Sequence, residues 1–439
     1  MNTYWLSQLQ DQLDYNQANG LLRTLRPVSA HGPHLELADG SSRINLASND
    51  YLGISQHPHL KKTAIDSIQQ NGTGSGASRL VSGHSPTHQQ AEERFARFKH
   101  AESALFCPTG YMANLAVITS LAQKGDLICA DKLSHASLLD AARASGATLR
   151  IFPHLGYDKL ERLLSRGSEL SDLVATMDPI HGTSDSTLAS ISGSTDKTSE
   201  SAVGGRALLH NLENRPARKF ILTDSVFSMD GDAADLPRLC DIAGKHNAIL
   251  IVDEAHGTGV LGKTGSGLCE AQGVCGRVDI VVSTASKALG SLGGMVSGPA
   301  VLIQTLVNKA RPFIYTTGSA AMQPAVVSAA LDVIETEPQR RHRVLELAAQ
   351  LREALGTTNE TVVTPIVPIV AGSAHAALSL ARHLDDAGFY APAIRPPTVA
   401  PGSARVRVSL RADLEDKHMT QLIDAIRNAP ESDGSNRGM

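Results

Sequence analysis

Two short apolar runs stand out from the alternation of hydrophobic and polar positions along this chain. Ala248 to Val252 leads straight into Asp253, with His256 three positions on, and Val278 to Val282 leads into Ser283-Thr284-Ala285-Ser286-Lys287. The first run is unbroken and predicts a strand buried on both faces of a parallel sheet; the second, interrupted only at Asp279, reads as another strand. Around these runs the pattern alternates. Strands are predicted at 104–106, 127–130, 149–152 and 220–223, with helical periodicity over 112–121, 137–144, 158–164 and from about 235. Such alternation predicts a mostly parallel central sheet flanked by helices. Ligands of open α/β sheets bind beyond the carboxyl ends of the strands, where Asp253 and Lys287 fall.

The flanks read differently. Trp5, Leu6, Leu9, Leu13, Leu21, Leu22 and Leu25 recur at helical spacing and predict an amphipathic helix over 4–25. Residues 31–46 alternate as a small antiparallel element, and 85–99 and 319–355 read as helical. A final α+β section covers 362–428; its strand 404–410 is expected to turn Arg405, Arg407 and Ser409 outward and Val406 and Val408 inward. The Ser/Thr/Gly-rich stretch 166–218 lacks periodicity and reads as a flexible surface insertion. The organisation expected is therefore an N-terminal helix and β element (1–46), a large α/β domain (47–300), a helical link with a C-terminal α+β domain (301–430), and a disordered tail (431–439).

Composition narrows the function only by exclusion. A net charge of −4 over 439 residues, without a long basic run, gives no sign of a nucleic-acid partner. The five cysteines make no metal-ligand spacing and read as free thiols of a reducing compartment. The polar, acid-bearing start does not read as a targeting peptide, and no run has the roughly 20 apolar residues that span a bilayer. A cytoplasmic protein is expected.

The chemistry gathers at the two strand ends. A desolvated Asp253 needs a partner, and a cation is expected. A lysine and a carboxylate at neighbouring strand ends suit pyridoxal phosphate, which takes a lysine on its aldehyde and a carboxylate at its pyridinium nitrogen. A buried Asp253–Lys287 ion pair that merely fixes the sheet is the competing interpretation. Gly110-Tyr111 opens a helix, a place where phosphate can bind, although a glycine there is also an ordinary turn. The loop 72–83, GTGSGASRLVSG, lacks the ending of a P-loop.

SNDYLG (48–53), GSGASRLVSG (74–83), PTGYMAN (108–114), DKLSHASLLDAAR (131–143), VFSMDGD (226–232), VDEAHGTGVLGKTGSG (252–267), STASKALGSLGG (283–294) and AIRPPTV (393–399) follow in order along nearly the whole chain. With these stretches the chain resembles the α-oxoamine synthase family of pyridoxal-phosphate enzymes. The resemblance implies fold type I: a large α/β domain with a mostly parallel sheet and a smaller α+β domain. It implies that Lys287 holds the cofactor, Asp253 pairs with the ring nitrogen, His256 bonds the ring oxygen and His135 stacks on the ring and touches substrate. Ser228 and Thr284 would bond the cofactor, and Gly110 and Tyr111 would offer amides to its phosphate. Thr317 would reach the phosphate in the neighbouring subunit of a homodimer. Arg23, Asn49 and Thr398 would contact substrate, and no metal is implied.

The reaction implied is a decarboxylative condensation of L-alanine with pimeloyl-CoA or its acyl-carrier-protein (ACP) equivalent. Glycine with acetyl-CoA is the alternative within the family, and a catalytically silent binding subunit or a structural scaffold stand outside it. Two departures are visible: Asp224 stands where the resemblance leads one to expect Glu, and the 166–218 stretch has no counterpart in the compact family pattern.

Overall fold

The protein is described from a computed structural model, which covers residues 4–165, 215–358 and 362–430. The expected insertion at 166–218 lies almost wholly outside the described residues, and the tail 431–439 entirely so. Fourteen strands occur among them: β1 (Val28–His31), β2 (His34–Leu37), β3 (Ser42–Asn45), β4 (Ser103–Cys107), β5 (Leu127–Asp131), β6 (Thr148–Phe152), β7 (Lys219–Asp224), β8 (Ala248–Asp253), β9 (Ile280–Thr284), β10 (Gly294–Gly298), β11 (Ile366–Gly372), β12 (Phe389–Tyr390), β13 (Ala393–Ile394) and β14 (Ala404–Ser409).

Seven of them form the central sheet in the order β4-β10-β9-β8-β7-β5-β6. β9, β8, β7, β5 and β6 pair in parallel, whereas β10 runs antiparallel to both β9 and β4. β8 lies in the middle, and its apolar run is divided between two cores. Leu250 and Val252 pack on one face and Ile251 on the other, all fully buried. Asp253 therefore follows Ile251 onto the face covered by the helix Gly110–Leu121, and Glu254 follows Val252 onto the opposite face.

Local chemistry sets the helix starts beneath this sheet edge. Thr109 caps Gly110–Leu121 by accepting from Met112 N, and Asp235 caps Leu236–His246 by accepting from Arg238 N. Two helical expectations are corrected. The first helix ends at Ala18 rather than 25, because the chain turns through Gly20 at φ +66 with Leu21 N bonded back to Asn16 O. The region 319–355 divides at Pro338 into Met322–Thr336 and Gln339–Ala354.

Two smaller sheets complete the molecule. β11-β14-β13 is antiparallel, and β1-β2-β3 is an antiparallel meander extended by β12 from far along the chain, parallel to β3. Here the outward placement of Arg405, Arg407 and Ser409 is overturned: every residue of β14 is buried. The face expected to meet solvent is covered by the large domain, with Arg405 ion-paired to Asp230 and Arg407 bonded to Asn49 and Tyr51.

Candidate active site

Beyond the ends of β7, β8 and β9 the structure holds a cavity of about 260 Å³ lined by Gly110, Asn114, His135, Asp224, Asp253 and Lys287, among others. Asp253 is 6 % exposed. Its Oδ2 accepts from Asn114 Nδ2 at 2.7 Å and its Oδ1 from Ala255 N at 2.8 Å. The cation expected beside it is not supplied by the protein, since no lysine or arginine pairs with Asp253 among the described residues. Amide donors satisfy part of the carboxylate and leave it facing the cavity.

Lys287 is engaged elsewhere, which removes the ion-pair interpretation of the two residues. Its Nζ lies 2.7 Å from His256 Nε2, and His256 Nδ1 lies 2.6 Å from the Tyr51 hydroxyl. Burial lowers the Lys287 amine to about 8, with Asp253 opposing and Arg407 adding to that shift. His256 is pushed well below the usual histidine range, first by burial and then by Lys287 and Arg407. A neutral His256 thus accepts from Lys287 at Nε2, and the network assigns its proton to Nδ1, donating to Tyr51. Tyr51 donates in turn to Asn49 Oδ1 at 3.2 Å, and Arg407 Nη2 donates to both Asn49 and Tyr51.

The remaining wall comes from two helix N-termini. His135 caps Ala136–Ala144, its Nδ1 accepting from Ser137 N and its own N–H donating to Asp224 Oδ2 at 2.8 Å. Gly110 begins the other helix so close to β9 that a Cβ there would meet Thr284 at 3.2 Å. The first N–H groups of that helix have no acceptor within it. Ser286 Oγ and Thr284 Oγ1, 2.8 Å apart, stand beside them.

These features fit pyridoxal phosphate. Asp253 offers a carboxylate without a cation, Lys287 a partly neutral amine, and the Gly110 helix start an anion site beside hydroxyls. The structure thus gathers Gly110, Tyr111, His135, Asp253, His256, Thr284 and Lys287 around one cavity. Asn49 joins through Tyr51. Ser228 does not line the cavity, and Thr317 is exposed in a segment whose Gly318 binds the 72–83 loop through Ala77 and Ser75. Arg23 and Thr398 bond each other at 3.1 Å on the surface. Asn114, Tyr51 and Arg407 were missed by sequence reasoning, although Tyr51 and Asn114 sit inside two of the quoted motifs.

The profile of the class I and II aminotransferases matches residues 41–426. The chain belongs to that family. Among curated members, the 8-amino-7-oxononanoate synthase of Geobacter sulfurreducens is 36% identical over 427 residues, 96% of this chain and 95% of that protein. The 8-amino-7-oxononanoate synthase 2 of Bacillus subtilis is 36% identical, covering 93% of each. The solved 8-amino-7-oxononanoate synthase of Francisella tularensis superposes with a TM-score of 0.65 at 27% identity, covering 88% of this chain and 96% of that one. A serine palmitoyltransferase of S. paucimobilis shares the fold at TM-score 0.81, 24% identity and 98% coverage of both. This family member has the fold-type I architecture and is a pyridoxal-phosphate-dependent acyltransferase acting on an amino acid and an acyl thioester.

Proposed function

We propose that the chain condenses L-alanine with a pimeloyl thioester, carried on CoA or an acyl carrier protein, releasing the thiol and carbon dioxide and forming 8-amino-7-oxononanoate for biotin synthesis. The observation that favours a dicarboxylate-derived acyl donor is a pair of guanidiniums without acid partners. Arg23 bonds Thr398 and Arg395 bonds the Gly20 carbonyl; neither pairs with a carboxylate among the described residues. Arg395 directly follows β13, which pairs with β14, the strand of Arg407. A terminal carboxylate on the acyl chain would be matched there, whereas an acetyl group has nothing to offer.

Bound cofactor supplies an aldehyde for the substrate amine and a ring that withdraws electrons from Cα. Lys287 would hold it, Asp253 would keep the ring nitrogen protonated, His256 would bond the ring oxygen, and the Gly110 and Tyr111 amides with Thr284 would receive the phosphate. Lys287 would take the Cα proton of L-alanine, and an amine near 8 is partly unprotonated at neutral pH. Arg407, buried and with an unpartnered Nε, suits the substrate carboxylate. Ser228 and Thr317 are proposed as further cofactor contacts, Thr317 across a homodimer interface, and residence in the cytoplasm agrees with the free thiols.

The test is the mass of the product. L-alanine with pimeloyl-CoA should give 8-amino-7-oxononanoate; product from glycine and acetyl-CoA alone would move the enzyme to the acetyltransferase branch.

A further inference from the structure

Asp224 and Asp253 end neighbouring parallel strands in direct register, and both side chains line the same cavity. Paired strands run about 4.8 Å apart, so the two carboxyls are neighbours. They are 3 % and 6 % exposed. Their partners are unequal. Asp253 accepts from Asn114 and Ala255, whereas Asp224 accepts one N–H, that of His135, and pairs with no lysine or arginine among the described residues. Two adjacent buried carboxylates repel, which favours the protonated form of one of them.

We propose that Asp224 is the protonated member, an uncharged acid that anchors the His135 backbone through one oxygen and offers its hydroxyl to the cavity as a hydrogen-bond donor. Burial and then the charge of Asp253 push its carboxyl well above the usual range; the His135 N–H and Lys287 act in the other direction. Asp131 adds a further negative charge nearby. The negative charge facing the ring nitrogen then belongs to Asp253 alone, and Asp224 acts as a positioning residue for His135. The assignment rests on the cavity being the cofactor and amino-acid site, and does not depend on the acyl donor.

Infrared difference spectroscopy of the holoenzyme without substrate, wild type minus Asp224→Asn, tests it. The expected result is a protonated-carboxyl stretch in the wild type, shifted in heavy water, absent from the variant and persistent between about pH 6 and 8. The Asn amide still accepts from His135 and still donates to the cavity. Asp224→Ala should alter the near-ultraviolet circular dichroism of the bound cofactor while Asp224→Asn does not. A difference spectrum containing only carboxylate stretches would overturn the assignment. A wild-type protein that takes up no cofactor would sink the reading of the cavity instead, so the two failures are told apart.

Discussion

The amine of Lys287 lies 2.7 Å from His256 Nε2, while Asp253 is bonded by Asn114 and Ala255 and does not pair with it. Removing that amine removes both roles proposed for it, cofactor anchor and base for Cα. Lys287→Ala is expected to lower turnover by at least about 10³-fold while circular dichroism shows an intact fold. Retention of a large share of activity would refute the role given to Lys287.

Tyr51 closes the hydrogen-bond chain behind His256. Burial raises its hydroxyl to about 12, with Arg407 opposing, so it stays protonated across the working pH range. Tyr51→Phe removes the acceptor for His256 Nδ1–H and frees the ring to change tautomer. A loss of about tenfold in kcat/KM is expected, with a shifted cofactor absorption band as the independent readout.

Arg407 is the cation proposed for the substrate carboxylate. Arg407→Ala should raise KM for L-alanine by about 10- to 100-fold, the range for losing a charge-assisted hydrogen bond, with a smaller change in kcat. Arg407→Lys should recover only part, since an ammonium lacks the planar fork. Steady-state kinetics with varied L-alanine decide the matter.

On the far face of β8, Lys99 Nζ bonds Glu254 Oε2 at 2.5 Å, Thr258 Oγ1 at 2.8 Å and the Ser266 carbonyl, with both charged side chains almost wholly buried. Glu254 also accepts from Cys269 N at 2.7 Å. Lys99→Met would strand the carboxylate and is expected to cost about 3–5 kcal/mol in denaturant unfolding. Combining it with Glu254→Leu should restore part of that loss.

His154 lies between Asp131, at 3.0 Å, and Asp232, at 2.6 Å. Burial opposes its charge, but the two aspartates outweigh it and raise the imidazole to about 9. A raised histidine contributes stability that is fully present below about 6.5 and is lost as pH rises through about 9. Unfolding free energy should fall over that window by on the order of 3 kcal/mol, and His154→Gln should flatten the slope. An unchanged slope in the variant would show that His154 does not carry it.

Much of this site is legible in the sequence because its anchors follow apolar runs. Leu250, Ile251 and Val252 are buried, divided between the two faces, and that run places Asp253 at the sheet edge. The arginines of β14 show where pattern fails. Arg405 and Arg407 alternate with valines as if facing water, yet their face is covered by Asp230, Asn49 and Tyr51, brought there by a fold that links residues far apart in the chain. Alternation reports chemical contrast between two faces and not which of them is solvated. Asn114 is a similar case: an amide side chain among the apolar residues Met112 to Ile118 is a signal, but its target on β8 is set by tertiary packing.

The pairing of β12 with β3 bears on how the molecule is made. Phe389 and Tyr390 align with Ile44 and Asn45, so the meander keeps a bare edge until a segment far along the chain has been made and reaches it. Until then the exposed strand is a template for any extended segment nearby.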